Sequence, residues 1–151
     1  MNKLMGMGTD DSAAKKEEIR NIFNSKVKDG ESYITIAGMN MVTTKKLFKE
    51  IRTFYNYIVG YKDGDDPEIV IIEVSHDLES VGEPVYYKKS ECAKAEYTAT
   101  NGLFSISLPL SEVVSFGIIP STALYGGYII KVSYVDEMMP FLEFFQKRFE
   151  K

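Results

Sequence analysis

Glu73, His76 and Asp77, in the stretch EVSHDLE, come closest to a catalytic cluster in residue type and spacing. An imidazole titrates near neutral pH, so a histidine flanked by carboxylates can accept and return a proton. No nucleophile motif accompanies these residues, and the alternative is a surface loop with ordinary polar side chains. The sequence leaves open whether the three form a site.

The chain has one cysteine, Cys92, and one histidine. A single cysteine excludes an intrachain disulfide and a cysteine-rich zinc site, and a single histidine excludes a histidine-rich metal site. A thiol–imidazole pair of Cys92 with His76 is one interpretation. Cys92 alternates with polar residues, however, which predicts a solvated strand face. We expect no metal and no cofactor, and the cysteine usage is typical of a reducing compartment, so we expect a cytoplasmic protein.

Three charged stretches have both a functional and a simpler interpretation. DGDDPE (63–68) is similar to a calcium loop but lacks its length and its distal glutamate, which predicts a turn. Lys45, Lys49 and Arg52 could hold phosphate, or they form the solvated face of a helix. The run YYKK (86–89) mixes aromatic and basic residues as single-strand binders do, but an ordinary edge strand also explains it.

Composition limits the classes of partner. The net charge of −4 and the pI of about 5.1 argue against nonspecific binding to nucleic acid or to anionic lipid, because both require a cationic protein face. No run of 18 apolar residues is present, so we predict no transmembrane segment. Residues 1–11 lack the apolar run of a signal peptide, and we predict a flexible arm followed by a single domain over 12–151.

The periodicity of apolar residues changes along the chain. Helical spacing predicts a helix from Ser12 to about Lys28 and a second one, capped by Thr43 or Thr44, whose stripe is Leu47, Ile51, Phe54, Tyr55 and Ile58. Strands are predicted at 32–38, 68–74, 85–89, 92–100, 103–110, 111–119 and 128–135, with Asn101-Gly102 as a hairpin turn. The fold class is therefore α+β: a bent antiparallel sheet or open barrel of about 6–7 strands closed by a C-terminal helix, with two helices in the N-terminal part.

The last segment, SYVDEMMPFLEFFQKRFEK, predicts the closing helix, with Asp136 as its N-cap. Met138, Phe141, Leu142, Phe145 and Phe149 form one apolar stripe. Burying five large side chains stabilises by about 1.5–3 kcal/mol each, which outweighs the cost of Pro140 in the first turn. We predict a lid on the core rather than a membrane anchor.

Three apolar residues are left as candidates for contact with a ligand or partner. Phe144 and Met139 lie off the stripe of the closing helix, and Tyr125 lies in a predicted loop. We expect the partner to be a protein, with a small apolar ligand as an alternative; the sequence does not indicate the oligomeric state.

The stretch from LFSISLPLSEVVSF through GGYIIKVSYVDEMMPFLEFFQKRF resembles the second half of a pleckstrin-homology-like (PH-like) domain, including the bacterial versions. In such domains a C-terminal helix plugs an open antiparallel barrel, and the resemblance implies that residues 136–149 are this plug. The predicted helix around 47–58 departs from the pattern, because such domains have a strand pair there. The basic signature for inositol phosphates has no clear match.

The order of elements also looks like a helix-grip (START-like) fold. The first resemblance implies a non-catalytic binding or interaction module, an accessory or inhibitor protein. The second implies a small-molecule binder or small enzyme with an apolar cavity under the closing helix. A filled interior would favour the module, and a pocket of several hundred Å³ beneath the helix would favour the ligand binder. On balance we expect the chain not to be an enzyme.

Overall fold

A computed structural model describes residues 3–123 and 126–151, with side chains from Ser12 onward. The described part contains seven strands and two α-helices. In chain order these elements are α1 (Lys3–Lys26), β1 (Ile34–Lys46), β2 (Lys49–Lys62), β3 (Glu68–Val74), β4 (Val85–Lys88), β5 (Lys94–Thr98), β6 (Leu103–Ser107), β7 (Val114–Ile118) and α2 (Met138–Phe144), which a π-helical turn (Phe145–Phe149) extends.

The strands form a curled antiparallel sheet in the order β4-β3-β2-β1-β7-β6-β5. This confirms the predicted fold class, an antiparallel sheet closed by a C-terminal helix. The predicted strand 68–74 matches β3, which is paired on both sides, and β4 lies at an edge as expected. The hairpin at Asn101-Gly102 is present as β5–β6, and Gly102 supplies the turn with a φ of 72°.

The two helices pack on opposite faces of the sheet. Neighbouring residues of a strand point to opposite faces, so Gly60 and Tyr61 of β2 face different helices. Gly60 faces α1, where a Cβ would stand 2.2 Å from the Phe23 ring, so only glycine fits there. Tyr61 faces α2, with its ring 4.9 Å from that of Phe141. We call these the outer and the inner face.

The predicted second helix is wrong. Residues 43–58 belong to the β1–β2 hairpin, which is paired from Ile34 and Tyr61 to Lys46 and Lys49. The supposed helical stripe is not buried as a unit, because Leu47 is 98% exposed at the hairpin tip. The stretch is rich in Thr, Ile, Phe and Tyr, which favour a pleated surface. A strand pair therefore stands where the helix was predicted.

The predicted strand 128–135 is also wrong. Ile130, Val132 and Tyr134 are buried, but Tyr128, on the same predicted strand face, is 62% exposed, and the segment pairs with no described strand. Side chains take the place of strand partners. The Asn56 carboxamide accepts from the Ile130 N–H and donates to the Tyr128 carbonyl.

The first helix begins before its predicted start. Ser12 lies inside α1 rather than at its N-cap, and its hydroxyl accepts a hydrogen bond from the Ser133 N–H. The helix ends at Lys26, two residues before the predicted Lys28. The division into an arm over residues 1–11 and a domain over 12–151 stays a prediction.

The closing helix differs from its prediction at both ends. Asp136 is not the N-cap, because it lies in a short 3₁₀ turn that precedes Met138. Pro140 stands in the first turn, as expected. At the other end the Glu150 N–H donates to the Phe145 carbonyl, five residues back. Phe144 lies in α2 before this π turn, about one helical turn after Phe141, and its ring packs on that of Tyr61 with centroids 4.8 Å apart.

Candidate functional site

The structure does not assemble Glu73, His76 and Asp77 into a catalytic cluster. Asp77 accepts a hydrogen bond from the Ser75 hydroxyl at 2.6 Å, and this bond, more than the nearby imidazole, lowers the pKa of its carboxyl. His76 is exposed, and Glu73 is in strand β3, opposite Tyr57 of β2. The arrangement is that of a turn stabilised by its own side chains.

Cys92 is buried, which corrects the expectation of a solvated strand face. It lies between β4 and β5, and the ammonium group of Lys151 donates a hydrogen bond to the Cys92 backbone carbonyl. The geometry gives this thiol no role in catalysis, because a nucleophilic cysteine is normally accessible and ionised near neutral pH.

We expect Cys92 to react slowly with thiol reagents in the folded protein. Burial raises the pKa of the thiol from 9.0 to about 11, and the thiolate is the reactive species. The rate of alkylation by iodoacetamide, followed by mass spectrometry, should rise until about pH 11 in the folded chain and level off near pH 9 in urea. A folded-state profile that levels off near pH 9 would contradict this burial.

The acidic loop 63–68 is a turn, as predicted, and three of its four carboxylates, those of Asp63, Asp66 and Glu68, have partners. Arg148 pairs with Asp63 at 2.8 Å, and Ser90 donates to Asp66. Glu68 is buried and accepts from the Tyr33 hydroxyl. Within the described residues, no group of three or more His, Cys, Asp and Glu is placed to hold a metal ion.

Lys45, Lys49 and Arg52 lie near the tip of the β1–β2 hairpin instead of on a helix. The pairing of Lys45 with Glu50 and of Lys46 with Lys49 puts Lys45 and Arg52 on one face and Lys49 on the other. The three cations therefore do not converge on one phosphate. At the tip, the ring of Phe48 is fully exposed.

An apolar cleft with a volume of about 510 Å³ lies beside α2. Four of the seven methionines line it, so we call it the methionine cleft. The remaining walls come from the β5–β6 turn, from β7 and from α2. The lining includes Met39, Met41, Met138, Met139, Leu103, Ile118 and Leu142.

The space between α2 and the sheet is filled. Phe104, Phe116, Phe141, Phe145 and Phe149 are all at most 3% exposed. The Phe141 ring lies 4.8 Å from that of Phe104 in an edge-to-face contact, a geometry that favours aromatic pairs. The methionine cleft is therefore a surface feature at the side of the helix, and aromatic side chains occupy the region beneath the helix.

A strand edge next to the methionine cleft is open. Of the thirteen residues of β1, only Gly38 and Met39 pair with β7, although the whole strand pairs with β2. In the described part of the chain, residues 40–46 have no strand on the other side. The Met41 N–H is instead satisfied by the carboxamide of Asn40, at 2.9 Å.

The three residues predicted to contact a ligand or partner have different surroundings. Met139 is 68% exposed and lines the methionine cleft. Phe144 is buried, which removes the exposure on which its choice rested. Tyr125 lies outside the described residues. A role for any of them in binding stays a prediction.

Met39 and Met41 were not identified from the sequence. Their alternation in GMNMV gave the only signal, since it places both on one face of a strand, but nothing in the sequence brings that face to the Met138-Met139 pair.

In the run 86–89, Tyr86 is 41% exposed whereas Tyr87 is 8% exposed, so the two rings lie on opposite faces of the edge strand β4.

Comparison with family models, curated proteins and solved structures gave no match to this chain. No helix within the described residues is both long and apolar enough to cross a bilayer.

Proposed function

We propose that this chain is a non-catalytic, PH-like binding module that takes up an extended apolar segment of a partner protein in the methionine cleft. The observation that carries this proposal is the position of the cleft beside the open edge of β1. Seven antiparallel strands followed by a closing helix support the PH-like organisation. The single buried thiol accords with a reducing compartment such as the cytoplasm.

The mode of binding follows from the open strand edge. Residues 40–46 of β1 can pair with an added strand, whose backbone hydrogen bonds would supply affinity. Alternate side chains of that strand would point into the cleft, where flexible methionines adapt to different apolar groups. Breaking the hydrogen bond between the Met41 N–H and Asn40 is the local cost of adding the strand.

A small apolar molecule is the second candidate occupant, as in the helix-grip interpretation. A volume of about 510 Å³ favours it, because small-molecule sites commonly span roughly 300–1,000 Å³. The filled interior beneath α2 counts against it, since a helix-grip binder keeps its cavity there.

Selection of peptides from a displayed random library against the purified chain tests the proposal. We expect the enriched peptides to alternate apolar and polar residues, and Met139→Lys to weaken their binding by about tenfold or more, because a charge would enter the apolar cleft. Shifts of the methionine methyl signals in NMR would place the peptide. Binding of a neutral apolar probe without any peptide would favour the small-molecule alternative.

Leu110→Lys is the matched control. Leu110 is fully exposed and does not line the methionine cleft, so the same change of charge there should leave peptide binding unaltered. Both variants should remain folded, because each substituted side chain is largely solvent-exposed. Equal loss of binding in the two variants, or equal retention, would overturn the assignment to this cleft.

A further inference from the structure

A second concavity, of about 580 Å³, lies on the inner face away from α2 and is independent of the methionine cleft in its chemistry. Its walls combine three tyrosines and three glutamates: Tyr55, Tyr57, Tyr87, Glu73, Glu83 and Glu112. We call it the tyrosine–glutamate cup. Its lining, drawn from the described residues, contains no Lys, Arg or His.

The strand register builds the cup. Tyr57 of β2 stands directly opposite Glu73 of β3, so a ring and a carboxylate are side by side on the inner face. The rings of Tyr55 and Tyr57 are nearly parallel, with centroids 6.4 Å apart and an angle of 8° between planes. Glu112 approaches from the segment before β7.

Two tyrosine hydroxyls in this cup lack partners. Tyr57 and Tyr87 are each only 8% exposed, and the described part of the chain offers no hydrogen bond to either hydroxyl. Neither hydroxyl oxygen is itself fully buried, so each can form a hydrogen bond with a ligand that enters the cup. Burial and then the Glu73 carboxylate raise the pKa of Tyr57 to about 12, so its hydroxyl stays protonated near neutral pH.

The charge of the cup is largely uncompensated. Glu83 has an ion-pair partner, Lys26, at 3.2 Å, whereas Glu73 and Glu112 have none among the residues that the structure describes. Carboxylates attract a cation, and aromatic faces add a cation–π attraction. Tyrosine oxygens can also accept hydrogen bonds from an ammonium or guanidinium group.

We infer that the tyrosine–glutamate cup binds an organic cation, an amine or guanidinium group that inserts between the tyrosine rings and pairs with Glu73 and Glu112. The cation is either a free small molecule or an arginine or lysine side chain of a partner protein. Apart from Asn40, this site shares no lining residue with the methionine cleft, so its test does not depend on the proposed function.

Titration of the full chain with agmatine, which carries a guanidinium and an amine, is the test. With ¹³C-labelled tyrosine, the ring signals of Tyr57 and Tyr87 should shift in a saturable way, while that of Tyr86, on the opposite face of β4, should not. 4-Guanidinobutyrate, which replaces the amine with a carboxylate, should bind about tenfold or more weakly. Absence of a saturable shift would overturn the site.

Variants identify the contributing groups. Glu73→Gln and Glu112→Gln should each weaken agmatine binding by about tenfold, whereas Glu143→Gln, on α2 and outside the cup, should have no effect. All three glutamates are exposed, so these variants should fold. Equal binding by wild type, Glu73→Gln and Glu112→Gln would contradict the inference.

A blocked arginine, N-acetyl-arginine-N-methylamide, distinguishes the two sources of the cation. Binding as tight as that of agmatine would indicate an arginine side chain of a protein partner. Binding of agmatine alone would indicate a free small amine. Either result retains the cation site, and absence of agmatine binding removes it.

Discussion

Replacement of Phe141 by alanine is expected to lower the free energy of unfolding by about 3–5 kcal/mol. The Phe141 side chain is fully buried, and its ring lies 4.8 Å from that of Phe104 and 4.9 Å from that of Tyr61. It thus joins α2 to both halves of the curled sheet, and its removal leaves a cavity that five surrounding aromatic rings cannot fill. A loss of this size is a large fraction of the roughly 5–15 kcal/mol that stabilises a typical domain.

Urea denaturation followed by circular dichroism measures this effect, and Phe48→Ala is its control. The same side chain is removed there from the fully exposed tip of the β1–β2 hairpin, so the stability should change by no more than about 0.5 kcal/mol. Comparable losses in the two variants would mean that α2 does not cover the core as described.

The lid at the C-terminus could be predicted because its signal is local. An apolar stripe at helical spacing predicts that the helix packs against an apolar surface, whichever residues form that surface. The π turn at Phe145–Phe149, in which the Glu150 N–H donates to the Phe145 carbonyl, could not be predicted from the apolar spacing. Phe144 lies before that turn, and its contact with Tyr61 shows that the buried side of α2 is centred nearer to Phe141 than to Met138.

The β1–β2 hairpin shows where periodicity fails as a guide. Residues 47–58 satisfy both a helical stripe and an alternating pattern, and only the pairing of β2 with β1 and β3 decides between them. The turn gave no signal either, because Leu47 adopts a φ of 52°, which leucine seldom does. The local spacing of apolar residues therefore does not reveal a strand pair that is formed by long-range contacts.

The candidate sites depend even more on distant contacts. The methionine cleft brings Met39 and Met41 of β1 to Met138 and Met139, about a hundred positions later in the sequence. Only Met139 had been selected, because its position on the helical wheel is a local property. The tyrosine–glutamate cup could not be predicted for the same reason: Tyr57 and Glu73 meet through strand register alone.

Replacement of Asn56 by leucine is the second substitution for which we expect a large loss of stability. The Asn56 carboxamide is buried, accepts from the Ile130 N–H at 3.0 Å and donates to the Tyr128 carbonyl at 3.1 Å. Asn56→Leu keeps the size of the side chain but leaves the buried Ile130 amide without this partner. We expect a loss of about 2–3 kcal/mol and faster hydrogen exchange at the Ile130 amide. Asn21→Leu, on the exposed face of α1, should change stability by no more than about 0.5 kcal/mol.

Asn56→Asp should separate the two hydrogen bonds through pH. An ionised carboxyl still accepts from Ile130 but repels the Tyr128 carbonyl, whereas a protonated one can donate to that carbonyl. Burial raises the pKa of the introduced carboxyl above its unfolded value of about 3.9. The variant is therefore closest to wild type below that unfolded value, and its deficit grows as the pH rises toward the folded pKa. Urea denaturation at pH 4 and pH 7 measures this trend, and a deficit independent of pH would show that Asn56 fills space without directing the 128–130 segment.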